Sequence, residues 1–137
     1  MKKGIFSTVL YCLFVQVFTG KVMAQNPDLN KGEIYRPQIH FSPETNWIND
    51  PNGMVYYKGI YHLFFQYHPY SSIWGPMHWG HATSLDMIHW KQEPIALYPD
   101  SLGTIFSGSA VVDKNNTSGF GQKGKVPLVA IYTSHDQ

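Results

Sequence analysis

The feature that most constrains the fold is a series of short runs rich in aromatic and β-branched residues, beginning at Phe41 and divided by glycine, proline and asparagine. Such runs are typical of β-strands, and no later stretch repeats apolar residues with the helical period of about 3.6 residues. The runs Gly53–Tyr57 and Ile60–Tyr67 are predicted to form a hairpin, because Gly59 between them can take the positive φ of a tight turn. The sequence therefore predicts an all-β fold.

Turn residues predict where the remaining strands begin and end. The further strands are predicted at residues 78–85, 89–98, 104–112 and 127–134. The second of these is expected to be interrupted at Pro94, and Asn52-Gly53 is expected to turn the chain. Residues 84–90 (SLDMIHW) resemble the turn between outer blade strands of sugar-active propellers, which implies a structural turn that Asp86 braces while Trp90 packs between blades. Strands of this length are typical of a sandwich, a barrel or a propeller, and the pattern leaves that choice open.

The amino terminus has the pattern of an export signal. Residues 1–24 combine Lys2-Lys3, the apolar run Ile5–Phe18 and a small-residue cleavage site before Gln25. The run is too short for a membrane-spanning helix, so we predict a cleaved signal peptide and no stable membrane insertion. The mature protein is then expected in the periplasm, at the cell surface or in the medium. The polar residues 25–39 are predicted to form an extended lead-in.

Charge and cysteine content exclude several classes of function. The chain has 10 Lys plus Arg and 9 Asp plus Glu, and the signal peptide contains three of the lysines, so the mature part carries a net charge of −2. That balance does not favour a nucleic-acid partner. The single cysteine, Cys12, also lies in the signal peptide, which leaves no disulfide and no catalytic thiol. Seven histidines are present without an accompanying carboxylate cluster, so no metal site is predicted.

Asp50 is the candidate catalytic residue, within the run Trp47–Gly53 (WINDPNG). Pro51 disfavours the helical region for the residue before it and holds the Asp50 backbone extended. The carboxylate is therefore expected at the rim of a strand beside the indole of Trp47. Asparagines on both sides favour the ionised form of the carboxyl group. Taken alone, the pentapeptide is also compatible with ordinary turn chemistry.

Four motifs in order resemble glycoside hydrolase family 32, the β-fructofuranosidases that include invertases, inulinases and levanases. They are His40–Pro43, Trp47–Gly53, Leu63–Tyr67 and Phe106–Ser109. The resemblance covers about residues 34–137. It implies a five-bladed β-propeller catalytic domain, of which residues 40–137 would form the amino-terminal part, about the first blade and part of the second.

The resemblance also implies an activity and a set of roles. The family hydrolyses terminal non-reducing β-D-fructofuranosyl residues of sucrose, levan or inulin with retention, using no metal and no organic cofactor. Asp50 matches the nucleophile, Asn49 and Gln66 match residues that hydrogen-bond fructose hydroxyls, and Trp47 matches a wall of the pocket. The other matching substrate-contact positions are Trp74, Phe106 and Ser107.

Two parts of the family's machinery do not occur in these 137 residues. The family's acid/base is a glutamate beside a cysteine, and an Arg-Asp-Pro motif supplies an aspartate that stabilises the transition state. Neither motif is present. The 137-residue chain is therefore expected to be inactive by itself. Two alternatives stay open: a non-catalytic glycan-binding propeller, and a related five-bladed, inverting arabinosidase or xylosidase.

Overall fold

A computed structural model describes residues 33–37, 39–122 and 124–136. The predicted signal peptide and the first part of the lead-in lie outside the described residues. The described part contains these strands: β1 Trp47–Tyr57, β2 Ile60–His68, β3 His78–Ser84, β4 Trp90–Leu97, β5 Thr104–Val112 and β6 Leu128–His135. Within these residues no helix is long and apolar enough to cross a membrane.

The six strands form two antiparallel sheets. The first sheet has four strands in the order β1-β2-β3-β4, and the second pairs β5 with β6. Each strand of the first sheet pairs with the next along the chain, as in a propeller blade. The predicted all-β fold is therefore confirmed, with one four-stranded blade and two strands of another.

The hairpin between β1 and β2 forms as predicted. Lys58 has a φ of 50° and Gly59 a φ of 83°, so both central residues of the two-residue turn have positive φ. This is the type I′ geometry, whose twist matches that of the flanking strands.

Strand β2 alternates its side chains between two buried clusters. On one face, Phe65 is fully buried and packs with Phe41, with ring centroids 4.8 Å apart. On the other face, Phe64 packs with Trp79 of β3, and this cluster continues onto Ile105 of β5. The second cluster therefore fixes the four-stranded sheet against β5 and β6.

The prediction that Asn52-Gly53 turns the chain is wrong, because β1 continues through it. Gly53 has a φ of 56° and lies within an irregular stretch of the β1–β2 register. A Cβ atom there would lie 3.1 Å from the Phe64 side chain and 3.2 Å from that of Trp79. The glycine therefore lets the strand bulge where its backbone packs tightly against the core.

The predicted interruption of the outer strand at Pro94 is also wrong. Strand β4 runs through Pro94 without a break. It is the edge strand of its sheet, and Pro94 lies where the β3–β4 register shifts. At an edge or a bulge, the missing N–H of proline need not remove a ladder hydrogen bond.

Asp86 braces the turn between β3 and β4, as predicted. Its carboxylate accepts hydrogen bonds from the backbone N–H groups of Ile88 (2.9 Å) and His89 (2.8 Å). Trp90 lies against the Phe65 cluster with its ring 6.2 Å from that of Phe41, and its packing between two blades stays a prediction.

The described part of the lead-in turns where an extended segment was predicted. The backbone N–H of Arg36 donates to the carbonyl of Glu33 at 3.2 Å. The Arg36 guanidinium donates to Ser42 Oγ (2.9 Å) and to the carbonyl of Pro43 (2.7 Å). One arginine thus holds the turn against the chain that enters β1.

Candidate active site

Asp50 lies in a β-bulge of β1. Asn49 pairs with Gln66 and Pro51 pairs with Phe65, which leaves Asp50 as an extra residue with no partner on β2. A bulge bends the strand and redirects the side chain at that position. It also tolerates Pro51, which has no N–H to donate. The exposed Asp50 carboxylate results from this local geometry.

Trp47 and Asn49 orient a hydrogen-bond donor toward that carboxylate. The indole Nε1 of Trp47 donates to Asn49 Oδ1 at 2.8 Å. An indole N–H can only donate, so the amide oxygen of Asn49 must face it, and the amide NH₂ remains for Asp50. This hydrogen bond from Asn49 is the largest of the effects that lower the pKa of Asp50 below its ordinary value of 3.8.

Ser107 of β5 supplies the second donor. Its Oγ donates to Asp50 Oδ2 at 3.0 Å and so joins the two sheets across 57 residues of sequence. Ser107 also lies at an irregularity, because Ile105 pairs with Ser134 whereas Gly108 pairs with Tyr132. Its hydrogen bond is the second cause of the lowered pKa of Asp50. Two bulges thus meet at a carboxylate that is ionised at neutral pH.

Gln66 lies behind this carboxylate and is 3% exposed. Its Nε2 donates to the backbone carbonyl of Ile105 at 2.9 Å. Trp79, its register partner on β3, donates through Nε1 to the carbonyl of Phe106, also at 2.9 Å. The amide nitrogen of Gln66 is therefore engaged within the protein, and contact with a sugar stays a prediction. Sequence reasoning missed Trp79, because only the strand register shows that it faces β5.

The other two predicted contact residues lie at different places around the site. Trp74 is half exposed and lies in the loop 69–77. This loop is tied to the start of β1, because the carbonyl of Ser71 accepts a hydrogen bond from the backbone N–H of Trp47 at 3.0 Å. Phe106 is half-buried, and its ring stacks on that of His135 with centroids 4.7 Å apart. Substrate contact by either ring stays a prediction.

The other described acidic residues with hydrogen bonds serve turns and outer strands. Glu93 accepts from Lys91 and Thr83, Asp100 from the N–H of Leu102, and Asp113 from Thr117 and Ser118. None of these bonds reaches Asp50. The described residues also contain no group of three His, Cys, Asp or Glu side chains placed to hold a metal ion. Among the described residues, the carboxylate that this site offers is therefore Asp50, oriented by an amide and a hydroxyl.

Comparison with known proteins gives this arrangement a context. Residues 40–137 match the glycosyl hydrolases family 32 N-terminal domain. The chain is 60% identical over 134 residues to levanase of Bacillus subtilis, covering 97% of this chain and 20% of the levanase. It is 57% identical over 111 residues to the extracellular exo-inulinase inuE of Aspergillus niger, covering 77% of this chain and 21% of that protein.

Solved structures agree with the sequence relatives. The crystal structure of exo-inulinase from Aspergillus awamori matches with a TM-score of 0.66 and 57% identity over 70% of this chain and 20% of that one. The fructofuranosidase of Schwanniomyces occidentalis complexed with fructose matches with a TM-score of 0.66 and 53% identity, over 71% and 20% of the two chains. The chain spans about a fifth of the length of these relatives. The described strands accordingly form one four-stranded blade and part of another in the predicted five-bladed propeller, and the chain belongs to glycosyl hydrolase family 32.

Proposed function

We propose that the full-length gene product containing this chain hydrolyses terminal non-reducing β-D-fructofuranosyl residues of sucrose or of fructans such as levan and inulin. The observation that carries the proposal is Asp50 itself, an exposed carboxylate held ionised by Asn49 and Ser107. The names of the relatives, levanase and exo-inulinase, and a matched structure that holds fructose support the substrate class.

The proposed reaction is a double displacement with retention. Asp50 attacks the anomeric carbon of the fructosyl unit, the glycosidic bond breaks, and the leaving oxygen takes a proton from an acid/base glutamate. Water then adds to the anomeric carbon, gives its proton to the same glutamate and releases Asp50 as a carboxylate. That glutamate is expected outside the 137 residues. Because Asp50 has a lowered pKa, it is suited to the role of nucleophile and not to that of acid.

The surrounding side chains fit a furanose ring. The indole rings of Trp47 and Trp74 offer apolar surface to the C–H faces of a sugar, while the Asn49 amide and the Ser107 hydroxyl can hydrogen-bond its hydroxyl groups. The Ser107 hydroxyl and the Asn49 amide both hydrogen-bond Asp50. A bound fructosyl unit would therefore contact the nucleophile and these two polar groups at the same time.

We also propose that the protein is exported. Residues 1–24 carry the signal-peptide pattern, and one of the relatives is an extracellular enzyme. Amino-terminal sequencing of the protein secreted by its host should begin at Gln25. A mature protein that still begins at Met1 would contradict cleavage.

The test of activity is release of fructose from sucrose, levan and inulin by the full-length gene product. Methanol added as a competing acceptor should yield methyl β-D-fructofuranoside, which reports retention. Asp50→Asn keeps the shape of the side chain but removes the nucleophile, and turnover should fall at least about 10³-fold. Sugar binding without cleavage would support the glycan-binding alternative, and the α-anomer would support an inverting enzyme.

A further inference from the structure

We propose that Trp79 is a positioning residue for the candidate nucleophile: its indole N–H holds the bulge of β5 in the place from which Ser107 reaches Asp50. The inference rests on the proposed function of Asp50, but its geometry involves only residues that the structure describes.

The first support is the burial and bonding of Trp79. The side chain is 1% exposed, and its Nε1 donates to the carbonyl of Phe106 at 2.9 Å. Phe106 immediately precedes Ser107. A partly buried carbonyl that loses its donor raises the free energy of the folded protein, so this bond constrains where the backbone before Ser107 can lie.

The second support is that two successive carbonyls of β5 accept hydrogen bonds from the first sheet. Gln66 donates to Ile105 and Trp79 donates to Phe106, each at 2.9 Å. In a regular strand, successive carbonyls point to opposite sides, so donors on one neighbouring sheet would not reach both. The shifted register between Ile105 and Gly108 shows that the strand is bulged here. The two side-chain donors therefore hold an irregular backbone in place.

The ring of Trp79 also packs in the core, and that contribution must be separated from the hydrogen bond. Its ring centroid lies 5.6 Å from that of Phe64 and 5.9 Å from that of Tyr132. Trp79→Phe keeps an aromatic ring at this position and removes the N–H. Replacement by 3-benzothienylalanine keeps the two-ring shape and also lacks the N–H, so it serves if the phenylalanine variant does not fold.

The experiment is a double-mutant cycle in the full-length gene product with Trp79→Phe, Ser107→Ala and the double variant. The matched control is Trp90→Phe, which removes an indole donor bound to the carbonyl of Met87 at 3.0 Å in the β3–β4 turn. If Trp79 acts through Ser107, each single variant lowers kcat about tenfold, the scale of one hydrogen bond to a charged group. The double variant should then be no slower than Ser107→Ala.

The pH profile gives a readout that packing alone would not move. Without the Ser107 hydrogen bond, the pKa of Asp50 rises, so the acid limb of kcat/KM should move to higher pH in both single variants. Trp90→Phe should leave kcat and the acid limb unchanged. The proposal would be overturned if the losses of kcat in Trp79→Phe and Ser107→Ala multiply in the double variant. It would also be overturned if Trp79→Phe leaves the acid limb of kcat/KM in place.

A titration of the Asp50 carboxyl group by carbon-13 NMR separates this inference from the proposed function. The titration needs no turnover, and Trp79→Phe should raise the midpoint of Asp50 as Ser107→Ala does. An inactive wild-type protein that shows this rise would refute the proposed function and support the positioning role. If the wild-type enzyme is active and Trp79→Phe leaves the midpoint of Asp50 unchanged, the proposed function is supported and the positioning role is refuted.

Discussion

Gly53→Ala tests whether the close packing of β1 against the cluster between the sheets holds the candidate site together. Gly53 has a φ of 56°, and an added Cβ would lie 3.1 Å from Phe64, 3.2 Å from Trp79 and 3.4 Å from Ala110 of β5. The first two contacts are tighter than ordinary van der Waals contact. Both tight contacts are to aromatic side chains of the cluster between the sheets, so relief requires the rings of Phe64 and Trp79 to shift within that cluster.

The expected magnitude has two parts. Forcing alanine into left-handed backbone costs about 1–2 kcal/mol, and overpacking a core adds about 1–3 kcal/mol. Gly59→Ala is the matched control, because Gly59 has a φ of 83° but no atom within 4 Å of an added Cβ. It carries the backbone cost alone. Gly53→Ala should therefore lower the free energy of unfolding by about twice as much as Gly59→Ala.

The assay combines unfolding with activity in the full-length gene product. Thermal unfolding should show the larger loss for Gly53→Ala. Only that variant should also lower kcat and move the acid limb of kcat/KM upward, because a shift of the Trp79 ring moves the carbonyl of Phe106 bonded to it and so stretches the 3.0 Å bond between Ser107 and Asp50. Equal losses of stability in the two variants, with unchanged pH profiles, would refute the packing argument.

Three further predictions follow from the charges and from the sequence. Asn49→Ala should raise the pKa of Asp50 more than Ser107→Ala does, because the hydrogen bond from Asn49 lowers that pKa more than the one from Ser107. Carbon-13 NMR titration of Asp50 in the two variants measures both increases, and a larger increase in Ser107→Ala would contradict the bonding described. Burial and the nearby charge of His62 lower the pKa of His81, partly offset by Glu93. On acidification, His81 therefore takes up a proton in the unfolded chain before it does so in the folded protein, and the free energy of unfolding should fall as pH drops below about 6.5. His81→Gln should weaken that fall in thermal unfolding. An identical pH dependence in the variant would exclude His81 as its source. The 137-residue chain alone should release no fructose from sucrose, and measurable turnover would refute the need for a second carboxyl group.

The strands and the hairpin could be predicted because their signals are local. Alternating aromatic residues and the Lys58-Gly59 pair act within a few residues, and both predictions are confirmed. Asn52-Gly53 carries the same local signal as a turn, yet it becomes a bulge because β1 continues its pairing with β2. Pairing with a neighbouring strand decided the outcome, and local sequence does not contain that information.

The ionised state of Asp50 was predictable in part, from the asparagine beside it. The second donor was not, because Ser107 lies 57 residues away and reaches Asp50 only through the packing of two sheets. Trp79 shows the same limit more strongly. Its role depends on which face of β3 points toward β5, which follows from the strand register and from no motif.

The most direct test of Asp50 as the nucleophile is to trap the covalent intermediate. The full-length gene product is mixed with sucrose, quenched rapidly in acid and digested, and the peptides are analysed by mass spectrometry. We expect a single fructosyl group attached through an ester to Asp50. Sucrose hydrolysis accompanied by an adduct on another residue would contradict the assignment of Asp50 as the nucleophile.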